Sequence, residues 1–407
     1  MIEIDFTRCT GCGACVQSCC AKCISMTETE DGFTYPAVDR SRCTGCGRCG
    51  KVCPIGIPTK KAFRQRAYAA VAENADLFRA SASGGAFGAL AAYVLRESGT
   101  IYGCAYTDHA TPMHIRVDAL CDLPRLQGSK YVQSDTGETF LQAKVDLEAG
   151  KLVLYSGTPC QIAGLKAFLG KEYDRLITAD LICHGVPSQA YFKKYVEWLE
   201  KKWNADIHAV NFREKNGGNG LLSGTYTGNY TGICRDSGRK IQKKLNYFDS
   251  YYYSYFLLGD ICRNSCYVCK YASPKREGDF TLGDFWGAEG LGVEFSVKKG
   301  CSLVLTNTEK AEQLIHLLGL RLEEVPMELA MRHNAQLNHP SQSSLRREEL
   351  LRQYRELDAE EIQNHFLRTM KRKNFIARVK YSIPEPLKYE MQKLRYRKMN
   401  KRAYEQE

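Results

Sequence analysis

Long hydrophobic runs are missing from this sequence. No stretch of its 407 residues approaches the roughly 20 consecutive apolar residues that a membrane-spanning helix needs. The first residues, MIEIDFTRC, also lack the apolar core of a secretory signal peptide. We therefore expect a globular protein of the cytoplasm.

Strong charge is missing from most of the chain. The formal net charge is +11, but residues 368–407 alone carry 13 Lys or Arg against four Glu, a net of +9. The remainder is close to neutral, which argues against a body that binds nucleic acid. The basic C-terminal residues suit contact with an acidic partner or with a peripheral, anionic membrane surface, and a merely solvated helix is an equal alternative.

Cysteine, in contrast, is abundant, with 19 residues. Without an export signal, this number indicates metal ligation rather than disulfides, and a reducing, anaerobic cytoplasm. The segment RCTGCG at residues 8–13 recurs at residues 42–47. Both copies continue with the spacing C-x2-C-x2-C-x3-C, which is that of bacterial two-cluster ferredoxins. A zinc site or a disulfide knot is the alternative, and two complete copies in register disfavour both.

The spacing also predicts which cysteines share a cluster. Three thiolates of one run face one cluster, and the fourth cysteine ligates the other cluster. We therefore predict two 4Fe-4S clusters, one held by Cys9, Cys12, Cys15 and Cys53, the other by Cys43, Cys46, Cys49 and Cys19.

The first repeat departs from the ferredoxin pattern at one residue. The proline expected after the fourth ligand is present as Pro54 in the second repeat but is replaced by Cys20 in the first. We expect Cys20 and Cys23 to be packing thiols, with exchange of Cys20 for Cys19 as the open alternative.

Beyond this module, the alternation of apolar segments with helical runs predicts an α/β fold. Apolar segments 152–155 and 176–182 each lead through a tight loop into a helical run, which is typical of a mainly parallel sheet. The predicted architecture is α+β followed by α/β. It comprises a ferredoxin domain (1–60), a helical connector (61–80), a mixed, mainly parallel α/β domain (81–345) and a basic, mostly helical tail (346–407).

Four further cysteines stand in places that suit metal ligands. Cys160 and Cys183 each follow the carboxyl end of a predicted strand, and Cys266 and Cys269 form a C-x2-C pair. Together they are candidates for a third 4Fe-4S cluster, with a four-cysteine zinc site or buried thiols as alternatives. Core packing is the expectation for Cys262.

From residue 81 to residue 290 the chain resembles the flavin-binding beta subunit family of coenzyme F-420 hydrogenases and dehydrogenases. The matching stretches include SASGGAFGALAAYVL, LQGSKYVQS, LVLYSGTPCQIAGLKAFL, ITADLICHGVPS, SCYVCKY and REGDFTLGDFWG. The resemblance implies one FAD and a neighbouring 4Fe-4S cluster in this domain, and it supports the four cysteines as ligands.

Several segments suit a flavin. The start of a predicted helix at residues 81–85 and the turn at 128–131 offer backbone amides, hydroxyls and a cation. Lys130 and His184 are the candidates for catalytic residues, with a solvated lysine and a hydrogen bond to the ligand loop as alternatives. Arg213 and Lys215 are candidates for contact with an anionic substrate. The predicted cofactor-binding residues are Ser83, Gly84, Gly85, Gly128, Ser129, Lys130, Tyr131, Gly157, Thr158, Pro159, Arg276, Asp279, Thr281 and Asp284.

These parts predict a flavin-dependent oxidoreductase. It would link a two-electron hydride partner, for which the resemblance nominates reduced coenzyme F-420, to ferredoxin or another one-electron carrier through three 4Fe-4S clusters. A ferredoxin-driven reductase acting on another substrate is one alternative. The other is a non-catalytic electron-transfer subunit of a larger complex.

Overall fold

The computed structural model describes residues 3–58, 64–213, 227–290, 293, 295 and 299–404. Lys215 lies outside these residues. The strands are β1 (Ile24–Glu28), β2 (Thr34–Val38), β3 (Arg66–Ala72), β4 (Thr100–Tyr106), β5 (Pro112–Val117), β6 (Val153–Gly157), β7 (Leu176–Leu181), β8 (Ala205–Asn211), β9 (Thr227–Cys234), β10 (Lys240–Asn246), β11 (Phe280–Asp284), β12 (Ser302–Thr306) and β13 (Leu320–Val325).

The α-helices of the described residues follow the same chain order. They are α1 (Ala14–Gln17), α2 (Arg48–Lys51), α3 (Ala75–Ala80), α4 (Ala86–Arg96), α5 (Leu123–Leu126), α6 (Thr139–Glu148), α7 (Pro159–Leu169), α8 (Gln189–Trp203), α9 (Tyr251–Leu257), α10 (Asn264–Tyr267), α11 (Glu309–Ile315), α12 (Met327–Arg332), α13 (Arg347–Glu356), α14 (Ala359–Thr369), α15 (Lys371–Ser382) and α16 (Glu385–Tyr404).

An eight-stranded sheet forms the centre of the molecule, in the order β13-β3-β12-β11-β7-β6-β4-β5. The middle strands β11, β7, β6 and β4 are mutually parallel, whereas every other pairing is antiparallel. The sheet is therefore mixed, with a smaller parallel part than the sequence predicts. The connections explain the difference, because a helix separates β6 from β7, whereas only five residues separate β4 from β5 and permit an antiparallel pair.

The predicted helical connector at 61–80 is wrong for most of its described length. Residues Arg66–Ala72 form β3, which pairs with β12 and β13, and only Ala75–Ala80 is helical. Alternate side chains of β3 face two different hydrophobic clusters, with Tyr68 and Ala70 in one, Ala67 and Ala69 in the other. Pairing on both edges and burial of both faces outweigh the helix propensity of alanine.

The N-terminal module packs against the α/β body. β1 and β2 form an antiparallel pair, and α1 lies against α6 and α7. The Gln17 Oε1 accepts a hydrogen bond from the Phe140 amide (2.9 Å), and the Thr136 hydroxyl donates to the Cys12 carbonyl (3.1 Å). These contacts fix the ferredoxin-like region beside the start of α7.

The C-terminal residues are helical up to Tyr404. α14 packs against α8 and α9, and α15 ends at Ser382, two residues before Pro384. α16 follows as a separate helix with Pro386 in its first turn, where a missing amide costs little. None of the described helices combines the length and the apolar character that crossing a membrane would require.

Candidate functional site

The eight cysteines of the repeat lie together in the N-terminal module. Gly11 and Gly13, like Gly45 and Gly47 of the second copy, have φ between 65° and 79°, so each loop folds back between its cysteines. Burial raises the pKa of Cys15 to about 12, and the neighbouring Cys9 and Cys53 contribute to that rise. Cys53 of the second run therefore lies beside the first run, as the predicted exchange of fourth ligands requires.

Two further thiols, those of Cys20 and Cys23, lie beside the cysteine group that contains Cys43 and Cys46. The Cys19 Sγ lies 3.4 Å from that of Cys23, and Cys23 also contacts Cys43. Cys20 is exposed and contacts Cys46. Cys19 and Cys20 thus both lie close to the Cys43 group, so the choice between them remains a prediction.

The third set of cysteines converges from three loops. Cys160 stands in the first turn of α7, Cys183 follows β7, and Cys266 and Cys269 lie in and after α10. Burial raises the pKa of Cys183, and its neighbours Cys266, Cys160 and Cys269 add to that effect. Four soft thiolate donors that raise each other's pKa fit a cationic iron–sulfur core.

Cys262 is a fifth cysteine near this set. It is fully buried, and Cys266 and Cys183 both raise its pKa after the larger effect of burial. The sequence predicted only core packing for Cys262, because it lacks a partner at ligand spacing. Its place beside the ligand loops is visible only in the fold.

The first and third cysteine groups are neighbours. The proximity of Cys160 adds to the effect of burial in raising the pKa of Cys12, and the Cys12 side chain packs on Gly164, one helical turn after Cys160. A Cβ atom at Gly164 would lie only 2.9 Å from the Cys12 Sγ. A glycine at this point therefore permits the close approach of the two groups.

A cavity of about 480 Å³ lies at the carboxyl ends of β6, β7 and β11. This position is the usual ligand site of an open α/β sheet, and the volume falls within the range of cofactor pockets. Cys160 and Cys183 form part of its wall, so the cavity adjoins the third cysteine group. The predicted residues that line it are Ser83, Gly85, Gly128, Ser129, Lys130, Tyr131, Gly157, Thr158, His184 and Asp284.

The start of α4 differs from the prediction. The helix begins at Ala86, with Gly85 at φ 96° as its N-cap, and the Ser83 hydroxyl donates to the Cys301 carbonyl (2.8 Å). Gly84 does not line the cavity, and a Cβ there would lie 2.1 Å from the Ala70 carbonyl oxygen. Its role is close packing against β3. Pro159 also lies outside the lining and forms the first residue of α7.

Arg276, Asp279 and Thr281 do not line the cavity, contrary to the sequence prediction. The Arg276 side chain is 1% exposed and forms an ion pair with Asp180 (2.9 Å), which is fully buried. Its other donors reach the carbonyls of Tyr271 and Leu181. The Arg276 guanidinium is thus committed to joining β7, β11 and the ligand loop.

Asp279 and Thr281 belong to the same network. The Asp279 carboxylate accepts hydrogen bonds from the amide and the hydroxyl of Thr178 (2.8 and 2.7 Å). The Thr281 hydroxyl accepts from Arg276 and from Asn307. These polar residues form a buried hydrogen-bond network and do not line the cavity.

Two cations contribute to the cavity wall. The Lys130 ammonium donates to the Gln127 carbonyl (2.9 Å), and burial lowers the pKa of this lysine. Arg213 pairs with Asp284 (2.6 Å) and lies over the Trp286 ring. Both positive groups suit an anionic ligand.

Two histidines also face the cavity. Burial lowers the pKa of His184, whose Nε2 lies 3.2 Å from the Phe256 carbonyl oxygen. Burial lowers the pKa of His114 to about 4, and its nitrogens contact the Ser156 carbonyl and the Ser134 hydroxyl (3.0 and 2.9 Å). Both imidazoles are therefore neutral at pH 7.

Sequence reasoning missed several lining residues, including His114, Gln161, Phe256 and Trp286. A signal existed for Gln161, because Thr158 and Gln161 have the spacing of a capping box and form one at the start of α7. His114 and Phe256 come from distant segments, and no local pattern singles them out.

Comparisons with known proteins agree with this arrangement. Residues 150–326 match the family model for the C terminus of the beta subunit of coenzyme F420 hydrogenase/dehydrogenase. Residues 8–57 match the model of a 4Fe-4S dicluster domain. No curated protein matches the chain.

Among solved structures, the chain is similar to one from the F420-reducing NiFe hydrogenase complex of Methanosarcina barkeri. The identity is 15%, the TM-score is 0.40, and the match covers 69% of this chain and 91% of the other. A likeness at this level carries no argument about function. The chain therefore joins an N-terminal region that matches a 4Fe-4S dicluster domain to a region that matches the C terminus of the coenzyme F420 hydrogenase/dehydrogenase beta subunit.

Proposed function

We propose that this protein is a flavin-dependent iron–sulfur oxidoreductase that passes electrons between a two-electron hydride partner and one-electron carriers such as ferredoxin. The observation that carries the proposal is the shared wall between the cavity and the third cysteine group, formed by Cys160 and Cys183. A redox cofactor in this cavity would lie in direct contact with a cluster. The match of residues 150–326 to the beta subunit family model supports the same interpretation.

FAD is the cofactor that we propose for the cavity, and when bound it supplies hydride acceptance coupled to release of single electrons. Gly85 and Gly128, both at positive φ, allow close approach of the backbone to a ligand. Lys130 and Arg213 offer positive charge to a pyrophosphate or a reduced ring. Neutral His184 can accept and return a proton at the cavity wall beside Cys183.

The three cysteine groups form a spatial series. The Cys160 group adjoins the cavity, the Cys9 group adjoins the Cys160 group, and the Cys43 group includes the exposed Cys46. This order puts the substrate cavity at one end and a solvent-facing site at the other. We assign the first two clusters to residues 1–60 and the third, with FAD, to the α/β body that extends to residue 345.

Reduced coenzyme F-420 is the hydride partner that the family suggests. The proposal would also hold with another hydride donor or acceptor. The separate candidate is a non-catalytic electron-transfer subunit, for which the exposed basic tail offers a docking surface. Flavin content separates the two functions, because clusters without flavin leave no hydride chemistry.

The test is anaerobic purification with iron and flavin counted per chain. We expect about 12 iron atoms, from three four-iron clusters, and one FAD. Cys266→Ser should lower iron to about eight, whereas the matched variant Cys262→Ser should leave it unchanged. Eight iron atoms in the unmodified protein would remove the third cluster, and full iron without flavin would leave only the electron-transfer subunit.

The second step is a donor screen on the intact protein. Bleaching of the flavin absorbance by reduced coenzyme F-420 would identify the hydride partner. Bleaching only by reduced ferredoxin would indicate that the protein reduces a different substrate. Growth of a host in air should lower iron and flavin content, because exposed clusters such as the one at Cys46 are oxygen-sensitive.

A further inference from the structure

One buried arginine lies between the first and the third cysteine groups. Arg263 is 1% exposed and is the residue immediately before α10, in the loop that carries Cys262 and Cys266. Its guanidinium reaches out of this loop into the N-terminal module. Arg263 therefore lies in the loop of the third cysteine group, while its side chain contacts the N-terminal module that holds the first group.

The contacts of this guanidinium are all with neutral groups. The Nε donates to the Gln133 Oε1 (2.9 Å), the Nη2 donates to the Thr34 carbonyl (2.7 Å), and the Nη1 lies 3.5 Å from the Cys9 carbonyl oxygen. The Tyr35 ring covers its face at 4.5 Å. Within the described part of the chain, no carboxylate forms an ion pair with Arg263.

A buried, unpaired guanidinium is strongly destabilising unless negative charge compensates it. The cysteine thiolates of the two groups can supply such charge. The Arg263 carbonyl accepts a hydrogen bond from the Cys266 amide (2.9 Å), while its guanidinium lies 3.5 Å from the Cys9 carbonyl oxygen and packs against Gly11, between Cys9 and Cys12. The same positive charge thus acts on both cysteine groups at once.

We propose that Arg263 is a positioning residue that sets the reduction potentials of two clusters together, the one held by Cys9, Cys12, Cys15 and Cys53 and the one held by Cys160, Cys183, Cys266 and Cys269. The proposal rests on the function proposed above. Cluster potentials depend on nearby charge and on hydrogen bonds around the sulfurs. A fixed cation between two clusters favours the reduced, more negative form of each, so it raises both reduction potentials together.

The experiment compares Arg263→Gln with the unmodified protein by redox titration monitored by electron paramagnetic resonance under anaerobic conditions. Signals are assigned through their loss in Cys266→Ser and Cys46→Ser. We expect Arg263→Gln to make reduction at least tenfold less favourable at both clusters, a shift of about 59 mV to lower potential for each one-electron couple. The cluster of the Cys43 group should keep its potential.

Two further variants separate charge from packing. Arg263→Lys keeps the charge and should restore both potentials to within a threefold change in equilibrium constant. Arg347→Gln removes a second buried guanidinium, which donates to the Cys262 carbonyl (3.1 Å) but pairs with Glu348 (3.3 Å), and it should leave the first cluster unchanged.

A shift at only one cluster, or at neither, would overturn the proposal. Loss of iron from both Arg263 variants would also overturn it in favour of a folding role. Failure of this proposal is distinguishable from failure of the proposed function through the iron content of the unmodified protein. About eight iron atoms would reject the third cluster, and thus the proposed function, before any potential is compared.

Discussion

At the scale of single residues, Gly164 controls the contact between the N-terminal module and α7. An added Cβ would lie 2.9 and 3.0 Å from the Sγ and Cβ of Cys12, and 3.4 Å from the Phe140 ring. Such distances force the neighbouring side chains or the backbone to move. The two cysteine groups would then be held further apart.

We expect Gly164→Ala to destabilise the folded protein by about 1–3 kcal/mol through overpacking, reduced by up to about 1 kcal/mol from better helix propensity. Iron content and the midpoint of urea unfolding measure the effect. Gly50→Ala, in α2, adds a Cβ that meets no atom of another element within 4 Å, so this matched control should keep the iron content and show only the gain from helix propensity. Equal behaviour of the two variants would mean that Gly164 does not limit the approach.

His114 makes stability depend on pH. Its pKa falls from an ordinary 6.5 to about 4 on burial, so the unfolded chain binds more protons between these values. Stability is therefore fully present above pH 6.5 and is lost as pH falls toward 4. At pH 5.5 the loss from this group is about 1.4 kcal/mol.

Urea midpoints at pH 7.5 and pH 5.5 test this dependence. The midpoint of the unmodified protein should fall further on acidification than that of His114→Gln, which cannot be protonated. The same fall in both proteins would show that other groups, including the clusters, account for the acid sensitivity.

At the scale of elements, an ion pair joins the parallel strands to the ligand loop. The Asp180 carboxylate, at the end of β7, accepts from Arg276 and from the amides of Glu277 and Gly278 (3.0 and 2.8 Å). The three donors, Arg276, Glu277 and Gly278, lie just before β11. The network thereby fixes the loop that follows Cys269 against the carboxyl ends of the strands.

Arg276→Met should destabilise the protein by about 3–5 kcal/mol, because it leaves the buried Asp180 carboxylate uncompensated. Thermal unfolding measures this loss, and Arg66→Met, which removes a half-exposed ion pair, should cost less than about 1 kcal/mol. FAD affinity of the remaining folded protein should be unchanged. A large loss of FAD affinity without loss of stability would restore Arg276 as a cofactor anchor.

At the scale of the whole molecule, the outermost cysteine group has positive charge beside it, because Arg48 lies near the Cys46 thiol. Cys46 is exposed, and so are Lys22, Arg40, Arg42, Arg48 and Lys51 in the same module. The basic helices α15 and α16 form a second positive region at the other end of the chain. Either region suits an acidic redox partner, but only the first lies beside a cluster site.

We expect Arg48→Glu to slow reduction of an acidic ferredoxin at least tenfold at low ionic strength, with the difference shrinking as salt rises. Arg395→Glu, in α16, introduces the same charge change in the tail and should leave the rate close to that of the unmodified protein. Stopped-flow absorbance with ferredoxin measures both. A larger effect from Arg395→Glu would place the docking surface on the tail.

The sequence could predict what depends on neighbours along the chain. The ferredoxin spacing, the strand–loop–helix units that contain Cys160 and Cys183, and the separation of the last helices at Pro384 are all local patterns, and the fold contains them. The family resemblance extended this prediction to the third set of cysteines. The family models match residues 150–326 and residues 8–57, in agreement with the beta subunit resemblance and with the ferredoxin spacing.

The chemistry of the ligands is thus a property of the chain alone, since cysteine spacing and soft sulfur donors restrict which metals can bind. Which residues meet, in contrast, depends on the fold. The alanine-rich segment at 66–72 became a central strand because two strands pair with it, and the polar residues around Arg276 became a buried network because β7 and β11 are adjacent. Likewise, Arg263 lies between two cysteine groups only because the N-terminal module packs on α7. Because the guanidinium is buried there, its charge acts on both groups.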